Sequence, residues 1–582
     1  MYFCNYLLSS QNAITKNSST SVEFLAALVP DRRTSTASVY NQKKSSHSFF
    51  SPPLLPKATF LRLGKEMEER YRMIHYLCYC CAMLFAVFSF LLATPLSAQA
   101  QPREAYVAQS ADETTLTFYY DALRATRTGT TWGIGEMQQE RERTYPAWAG
   151  TWKVINNTTT RVVFDASFRD FRPTTTAKWF YNCKALEQIE GLEYLNTSEV
   201  KDMSWMFSNC RALTSLDLKN FNTQNVTDMS SMFASCSRLT SLDLKNFNTQ
   251  NVTNMSWMFF NCMELTSLDL KNFNTQNATN MSRMLSGCAA LTSLDLKNFN
   301  TQNVTDMSGM FEGCAALTSL DLKNFNTQNV TKMHSMFAYC LALKSLDLKN
   351  FNTQNVTDMS WMFSNCRALT SIDLKNFNTQ NVTDMSGMFS GCAALTSLDL
   401  KNFDTQNVTD MSWMFSNCWA LTSLDLKSFN TQNVTNMSSM FADCWKLTSL
   451  DLQHFNTQNV FNMKRMFLDC KALNSLDLQH FNTQNVTNME SMFSYCKALT
   501  SLDLKNFDTQ YVTDMRGMFS GCAALTTINS NTTWWCPESE NMFADCTKLK
   551  GAVTYDKNKV DAEMANPETG YFTAKPTMVE SR

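Results

Sequence analysis

Thirteen cysteines, from Cys210 to Cys522, recur every 26 residues without exception. Thiols at a fixed spacing could serve nucleophilic catalysis, metal binding or cross-linking. A nucleophilic thiol needs a neighbouring base, and a metal column needs further ligands beside each sulfur. No His or carboxylate recurs beside these cysteines. Disulfides need side-chain vectors that converge, whereas equivalent residues of stacked repeats point the same way. The column therefore reads as buried free thiols. Cys536 and Cys546 stand outside the register, and a bridge between them is left open.

A second column could bind cations. Asp217 to Asp503 contribute one carboxylate per repeat, twelve in all, and ten of the twelve residues two places on are Lys. Each repeat offers calcium a single carboxylate with a competing ammonium on the same face, so mutual neutralisation is the expected role. His454 and His480 fall in adjacent repeats, but two His without a third ligand make a poor zinc site. The N-V-T triplets are formal glycosylation sequons that arise from repetition of a turn. No catalytic residue, cofactor or metal site is expected.

These columns require elements that repeat with them. Twelve units of 26 residues fill 210–521, with Cys183 27 residues before the array and Cys546 24 after it. In the unit starting at Cys210, Leu216 and Leu218 alternate with polar residues, which predicts a strand with one buried face. Asn222 to Asn225 carry turn residues. Met229, Met232, Phe233 and Cys236 follow at i, i+3, i+4 and i+7, which predicts one face of a short helix capped by Thr227 or Asp228. A lone unit has nothing to bury these side chains against; stacked units supply the partner. The expected fold is a repeat solenoid of the leucine-rich-repeat type, with about 12 repeats plus caps. It would carry a parallel β-sheet on one face and short helices on the other.

The pattern Leu213-x-x-Leu216-x-Leu218, with M-S-x-M-F before Cys and L-D-L-K-N-F-N-T-Q-N-V-T after it, resembles the BspA-like leucine-rich-repeat surface proteins of bacteria. T-L-T-F-Y-Y at 115–120, V-V-F-D at 162–165 and L-E-Y-L-N-T-S at 192–198 resemble the leader segment of that family. The resemblance implies attachment to other surfaces. One departure is that Phe221 stands where the usual repeat has Asn or Cys, so Asn222 or Asn225 is expected to bond the backbone instead.

One position breaks the monotony. The residue before each Met-Phe pair runs Trp205, Ser231, Trp257, Arg283, Gly309, Ser335, Trp361, Gly387, Trp413, Ser439, Arg465, Ser491, Gly517. On a helix it would lie nearly opposite the apolar stripe and face solvent. Either each ring lies flat over a neighbouring helix, or the rings contact a partner. Trp205, Trp257, Phe260, Trp361 and Trp413 are the candidate ligand-binding residues, and Trp419 and Trp445 extend the patch.

Arg70, Arg72, the apolar run Leu77 to Leu92, and Ala98-Gln99-Ala100 have the order of a secretory signal. Such a signal starts near the initiator, so Met67 or Met73 is the expected start. Residues 1–66 are then a non-native or disordered extension, and 67–100 the signal peptide; an uncleaved anchor is the alternative. The β-rich, Trp-containing stretch 101–182 is expected to cap the solenoid of 183–545, and 546–582 to close it. Without residues 1–100 the chain has 40 basic and 47 acidic residues, a net charge of −7. That balance excludes a strongly basic nucleic-acid binder. The expectation is a secreted or cell-surface binding protein that is not an enzyme. It would have no membrane span in the mature chain, and its partner would be a host or extracellular-matrix protein or glycan. A structural spacer or self-assembling envelope module is the alternative.

Overall fold

The computed structural model describes residues 69, 72–87 and 101–574. The chain divides into two compact units, Met1–Gln99 and Ala100–Arg582. In the first, a helix covers 72–87 and overlaps the start of the apolar run. No helix among the described residues is long and apolar enough to cross a membrane. The extension 1–66, Met67 and the cleavage motif 98–100 lie outside the described residues.

The second unit opens with a small sheet. β1 (Glu104–Gln109) pairs antiparallel with β2 (Thr115–Asp121) and β3 (Thr131–Gly133). A separate hairpin joins β4 (Met137–Glu140) to β5 (Arg143–Pro146). β6 (Arg161–Phe164) and β7 (Gln188–Glu190) extend the first sheet in parallel from β2, in the order β3-β1-β2-β6-β7. Phe118, Trp148, Phe164, Phe168 and Trp179 form its aromatic core. The sheet's parallel half leads into coils bridged at 26-residue steps, from Asp202↔Asp228 to Asn488↔Asp514. The repeats therefore build a solenoid.

The coil from Thr353 to Cys366 shows how each turn is made. Val356 N–H bonds Thr353 O at 3.0 Å, Met362 N–H bonds Met359 O at 3.3 Å, Ser364 N–H bonds Trp361 O at 2.9 Å, and Cys366 N–H bonds Phe363 O at 3.1 Å. The intervening donors leave the coil. Met359, Trp361, Phe363 and Asn365 donate to Asp384, Ser386, Met388 and Ser390 of the next coil at 2.6–3.1 Å. Trp361 and Asn365 have φ of +56° and +56°.

The M-S-x-M-F segment is thus a run of tight turns, which corrects the expected helix. A left-handed residue at every fourth position prevents i→i−4 bonding, and the stacked neighbour takes the donors instead. The apolar spacing of 3, 4 and 7 serves these turns as well as it would serve a helix. Met359, Met362, Phe363 and Cys366 are all 0% exposed.

The expected continuous sheet is also absent along the L-x-L segments. Leu346 and Leu348 are buried as predicted, yet strands form there only at the two ends of the stack, at β7 in the unit of Cys183 and at the C-terminal end. β8 (Ser501–Asp503), β9 (Thr527–Asn529) and β10 (Phe572–Thr573) pair in parallel and close the stack. Equivalent Phe rings lie 6.3 Å apart at Phe299 and Phe325, but 5.7 Å apart at Phe363 and Phe389. Trp419 and Trp445, just after Cys, are 4.8 Å apart. Paired strands need about 4.8 Å. Equivalent rings thus lie farther apart on the Leu-Phe side than on the M-S-x-M-F side.

Polar ladders hold the coils in register. Thr353 Oγ1 donates to Asn378 O and accepts from Asn378 N–H, both at 2.8 Å. Asn355 Nδ2 donates to Gln328 O at 2.7 Å, and equivalent asparagines repeat the bond. This is the role foreseen for Asn225, whose Nδ2 bonds Ser198 O at 2.8 Å. Asn222 instead accepts locally from Gln224 N–H. A glycan on these sequons would have to displace the ladder bond at Nδ2.

Candidate functional site

All thirteen positions of the variable column, Trp205 to Gly517, have φ between +53° and +61°. Glycine adopts this conformation without strain, whereas an L-residue there is held at a cost of order 1–2 kcal/mol. Four of the positions hold tryptophan. Trp361 and Trp413 are 37% and 38% exposed; Trp205, Trp257 and Phe260 are half-buried.

Each ring leans over the next coil. A Cβ added to Gly387 would fall 2.4 Å from the Trp361 ring. Ser231 and Ser439, which follow Trp205 and Trp413, are 1% exposed, whereas Ser335 and Ser491 follow Gly309 and Arg465 and are half-buried. Trp257 lies 4.5 Å from Phe260, and the Arg283 guanidinium sits 4.9 Å over its ring, ion-paired to Glu312 at 3.2 Å. Trp205 meets Tyr181 edge-on at 5.8 Å. The structure brings Trp257 and Phe260 together and sets the other three apart on one column.

A second left-handed column, four residues on, escaped the sequence reading. It runs through Asn365, Asn417, Asp443, Asp469 and Tyr495. Beside it, Trp419 and Trp445 stack in parallel, and Lys471 Nζ lies 4.1 Å over Trp445 while paired to Asp469 at 3.0 Å. Burial pushes the Asp443 carboxyl up, against a hydrogen bond from Trp445 Nε1. Two stacked aromatics in adjacent repeats were the available signal.

Three residues before the tryptophan column stands a row that starts each run of turns. Asp358, Asp384 and Asp410 occupy three successive coils, each accepting from a backbone N–H two residues on. Asn436 donates to Asp410 at 3.1 Å, and His334 pairs with Asp358 at 3.5 Å. The Asp358 carboxylate beside it raises the His334 pKa above its ordinary value. That pair stabilises the fold fully below the unfolded His pKa, about 6.5, and the increment is lost as pH rises through the raised value. His334→Gln should therefore erase a loss of stability that sets in as pH rises above about 6.5, read as the shift in urea midpoint. Identical pH profiles for the two proteins would refute this.

The other predicted columns sit as follows. Asp217 and Lys219 pair at 2.7 Å, and Asp347 and Lys349 at 3.0 Å, with side chains 58–66% exposed. Hydrogen bonds from Lys219 hold the Asp217 carboxyl below the usual range. His454 and His480 are exposed. Among the described residues, no three His, Cys, Asp or Glu are grouped to hold a metal ion. The column thiols are free and buried, and each Sγ points at a carbonyl of the preceding coil, as Cys366 does at Phe337 O, 3.2 Å away. Cys536 and Cys546 are also unbridged.

The family model described as "Mycoplasma protein of unknown function, DUF285" matches four overlapping stretches, 174–294, 288–396, 357–475 and 442–556. The chain belongs to this family. About two thirds of this DUF285 chain is covered, and the matched span is the coiled array. No curated protein matches it. Among solved structures, it is similar to a leucine-rich cell surface protein of Faecalibacterium prausnitzii. Identity is 15%, coverage 80% of this chain and 97% of that one, and TM-score 0.27. It also matches Toll in the Drosophila Toll–Spatzle complex at 14% identity, with 72% of this chain and 61% of that one covered and a TM-score of 0.21. The TLR13–ssRNA13 complex matches at 17% identity, 64% and 67% coverage, and a TM-score of 0.14. This DUF285 chain thus spans about three fifths of the Toll chain. At these scores the overlays carry no argument.

Proposed function

We propose that this protein is an exported, non-enzymatic binding protein of the cell surface, an adhesin of the BspA-like kind. It engages host protein or glycan through the side of the solenoid that carries the tryptophan column. The observation that carries this reading is the placing of exposed indoles at left-handed positions. Gly or Ser serves the fold equally well there in other coils. Strained residues that packing does not require mark functional positions. Exposed aromatics dominate interface energetics, and solenoids offer extended binding surfaces. A spacer without a ligand has no use for them.

A panel of extracellular-matrix proteins and a glycan array, probed with the purified chain, tests the reading. For the ligand found, the double variant Trp361→Ala, Trp413→Ala should lose binding at least tenfold. Its folding stability should stay within about 1 kcal/mol of wild type. Unchanged affinity would sink the assignment. Surface protease accessibility on intact cells tests the location.

A further inference from the structure

The spacing of the tryptophans carries more than their exposure does. In this column Trp205, Trp257, Trp361 and Trp413 lie an even number of coils apart, with Gly309 at the skipped place between Trp257 and Trp361. The next coil holds a small residue after three of the four rings, Ser231, Gly387 and Ser439, and Arg283 after Trp257. With coils about 4.8 Å apart on this side, Trp361 and Trp413 are flat platforms about 10 Å apart. They are also the two most exposed of the four.

A ligand that seats on both must present a flat apolar face at that interval. Same-face side chains of an extended β-strand recur at about 7 Å and do not fit. Two repeating chains do fit: a polyproline helix, whose turn is about 9 Å, and an extended β-1,4-linked glycan. In the glycan alternate pyranose rings present the same face, and its disaccharide repeat matches two coils. The neighbouring polar groups discriminate between them. Asp358, Asp384 and Asp410 run alongside the same coils and are half-exposed acceptors. A sugar edge supplies hydroxyl donors to carboxylates. A proline-rich helix supplies carbonyls and, at each proline, no N–H.

We infer that the segment around Trp361 and Trp413 binds an extended β-1,4-linked glycan, with alternate pyranose rings stacked on the two indoles and hydroxyls donated to the aspartates between them. This rests on reading the tryptophan column as the binding face.

The register of the rings can be shifted without changing their number. Ser335→Trp with Trp361→Ser recreates the Trp-then-Ser order of Trp205 and Ser231, at a position whose φ is already +54°. It leaves Trp413 three coils from its nearest partner. Binding of the full chain to chitobiose, chitotetraose, cellobiose, cellotetraose, maltotetraose and a proline-rich dodecapeptide would be measured calorimetrically. Urea midpoints would confirm that each variant is folded.

For chitotetraose or cellotetraose, wild type should bind at least about tenfold tighter than for the matching disaccharide, the gain from a second platform on one ligand. The register-shifted variant should lose that gain. The inference is overturned if the tetramer binds no tighter than the dimer or than maltotetraose, if the peptide is preferred, or if the shifted variant keeps the gain. Failure here, with the double alanine variant still losing a panel protein, removes the glycan and leaves the binding face. Failure of both removes the face.

Discussion

Raising the pH from 8 to 10 is expected to unfold the coils. Sixteen buried free thiols lie among the described residues. Burial pushes Cys236, Cys314, Cys366, Cys418 and Cys496 up to about 12. An unfolded cysteine ionises near 8.5. The folded state therefore holds protons that the unfolded chain releases. The stability contributed by each thiol is fully present below about pH 8.5 and is lost as pH climbs toward the folded value. The loss is about 1.4 kcal/mol per thiol per pH unit. Because the loss accumulates over the column, a few thiols together reach the 5–15 kcal/mol that holds a typical domain. Near-ultraviolet circular dichroism against pH should show a steep transition between about 9 and 10. Iodoacetamide, which reacts with thiolates, should label the column only past that point. Replacing Cys340, Cys366 and Cys392 by Ala should flatten the pH slope, although each leaves a small cavity. A urea midpoint that is the same at pH 10 as at pH 7.5 would defeat the prediction.

The second large effect is expected from Phe363→Ala. The ring is 0% exposed and lies between Phe337 at 5.8 Å and Phe389 at 5.7 Å, nearly parallel to both. Truncation removes a buried aromatic and opens a cavity lined by its stacked neighbours, which costs about 3–5 kcal/mol. Phe363 also sits mid-array. Each coil touches only its neighbours, so a weak central coil uncouples the halves. Urea unfolding should change from one transition to two, whereas Phe207→Ala, near the first coil, should mainly loosen that end. A single transition displaced by less than about 1 kcal/mol would contradict this.

Much of the architecture was legible in the residues. The 26-residue period, the buried thiols, the apolar stripe and the asparagine bonds of Asn225 and its equivalents follow from repetition and burial. The local geometry was not. The spacing of Met229, Met232, Phe233 and Cys236 suits a helix and a chain of turns alike. The deciding left-handed residues are mostly Trp, Ser, Asn or Arg rather than Gly. Leu216 and Leu218 alternate as a strand should, yet the coils form no strand ladder there. Trp205, Trp257, Trp361 and Trp413 were recognisable as outliers. Their seating became visible only once the rings were seen to lean along the stack, where the small residue in the following coil acquires a purpose.

Along the M-S-x-M-F run the main-chain bonds between coils go forward, while the threonine N–H of each N-V-T triplet bonds back, as Thr383 does to Thr357 O at 2.9 Å. Met359, Trp361, Phe363 and Asn365 give their N–H groups to carbonyls that lie later in the chain. A coil emerging from a ribosome or a translocation pore is therefore left with four open donors until some 26 further residues have followed it. Order must propagate from the N-terminal sheet as a zipper whose last tooth is always unmade. The C-terminal strands and the chain around Glu538, Glu540, Met542 and Ala544 finish the final row, accepting from Met515, Gly517, Phe519 and Gly521. Any stop within the array would leave a raw edge complementary to the start of another copy's coils.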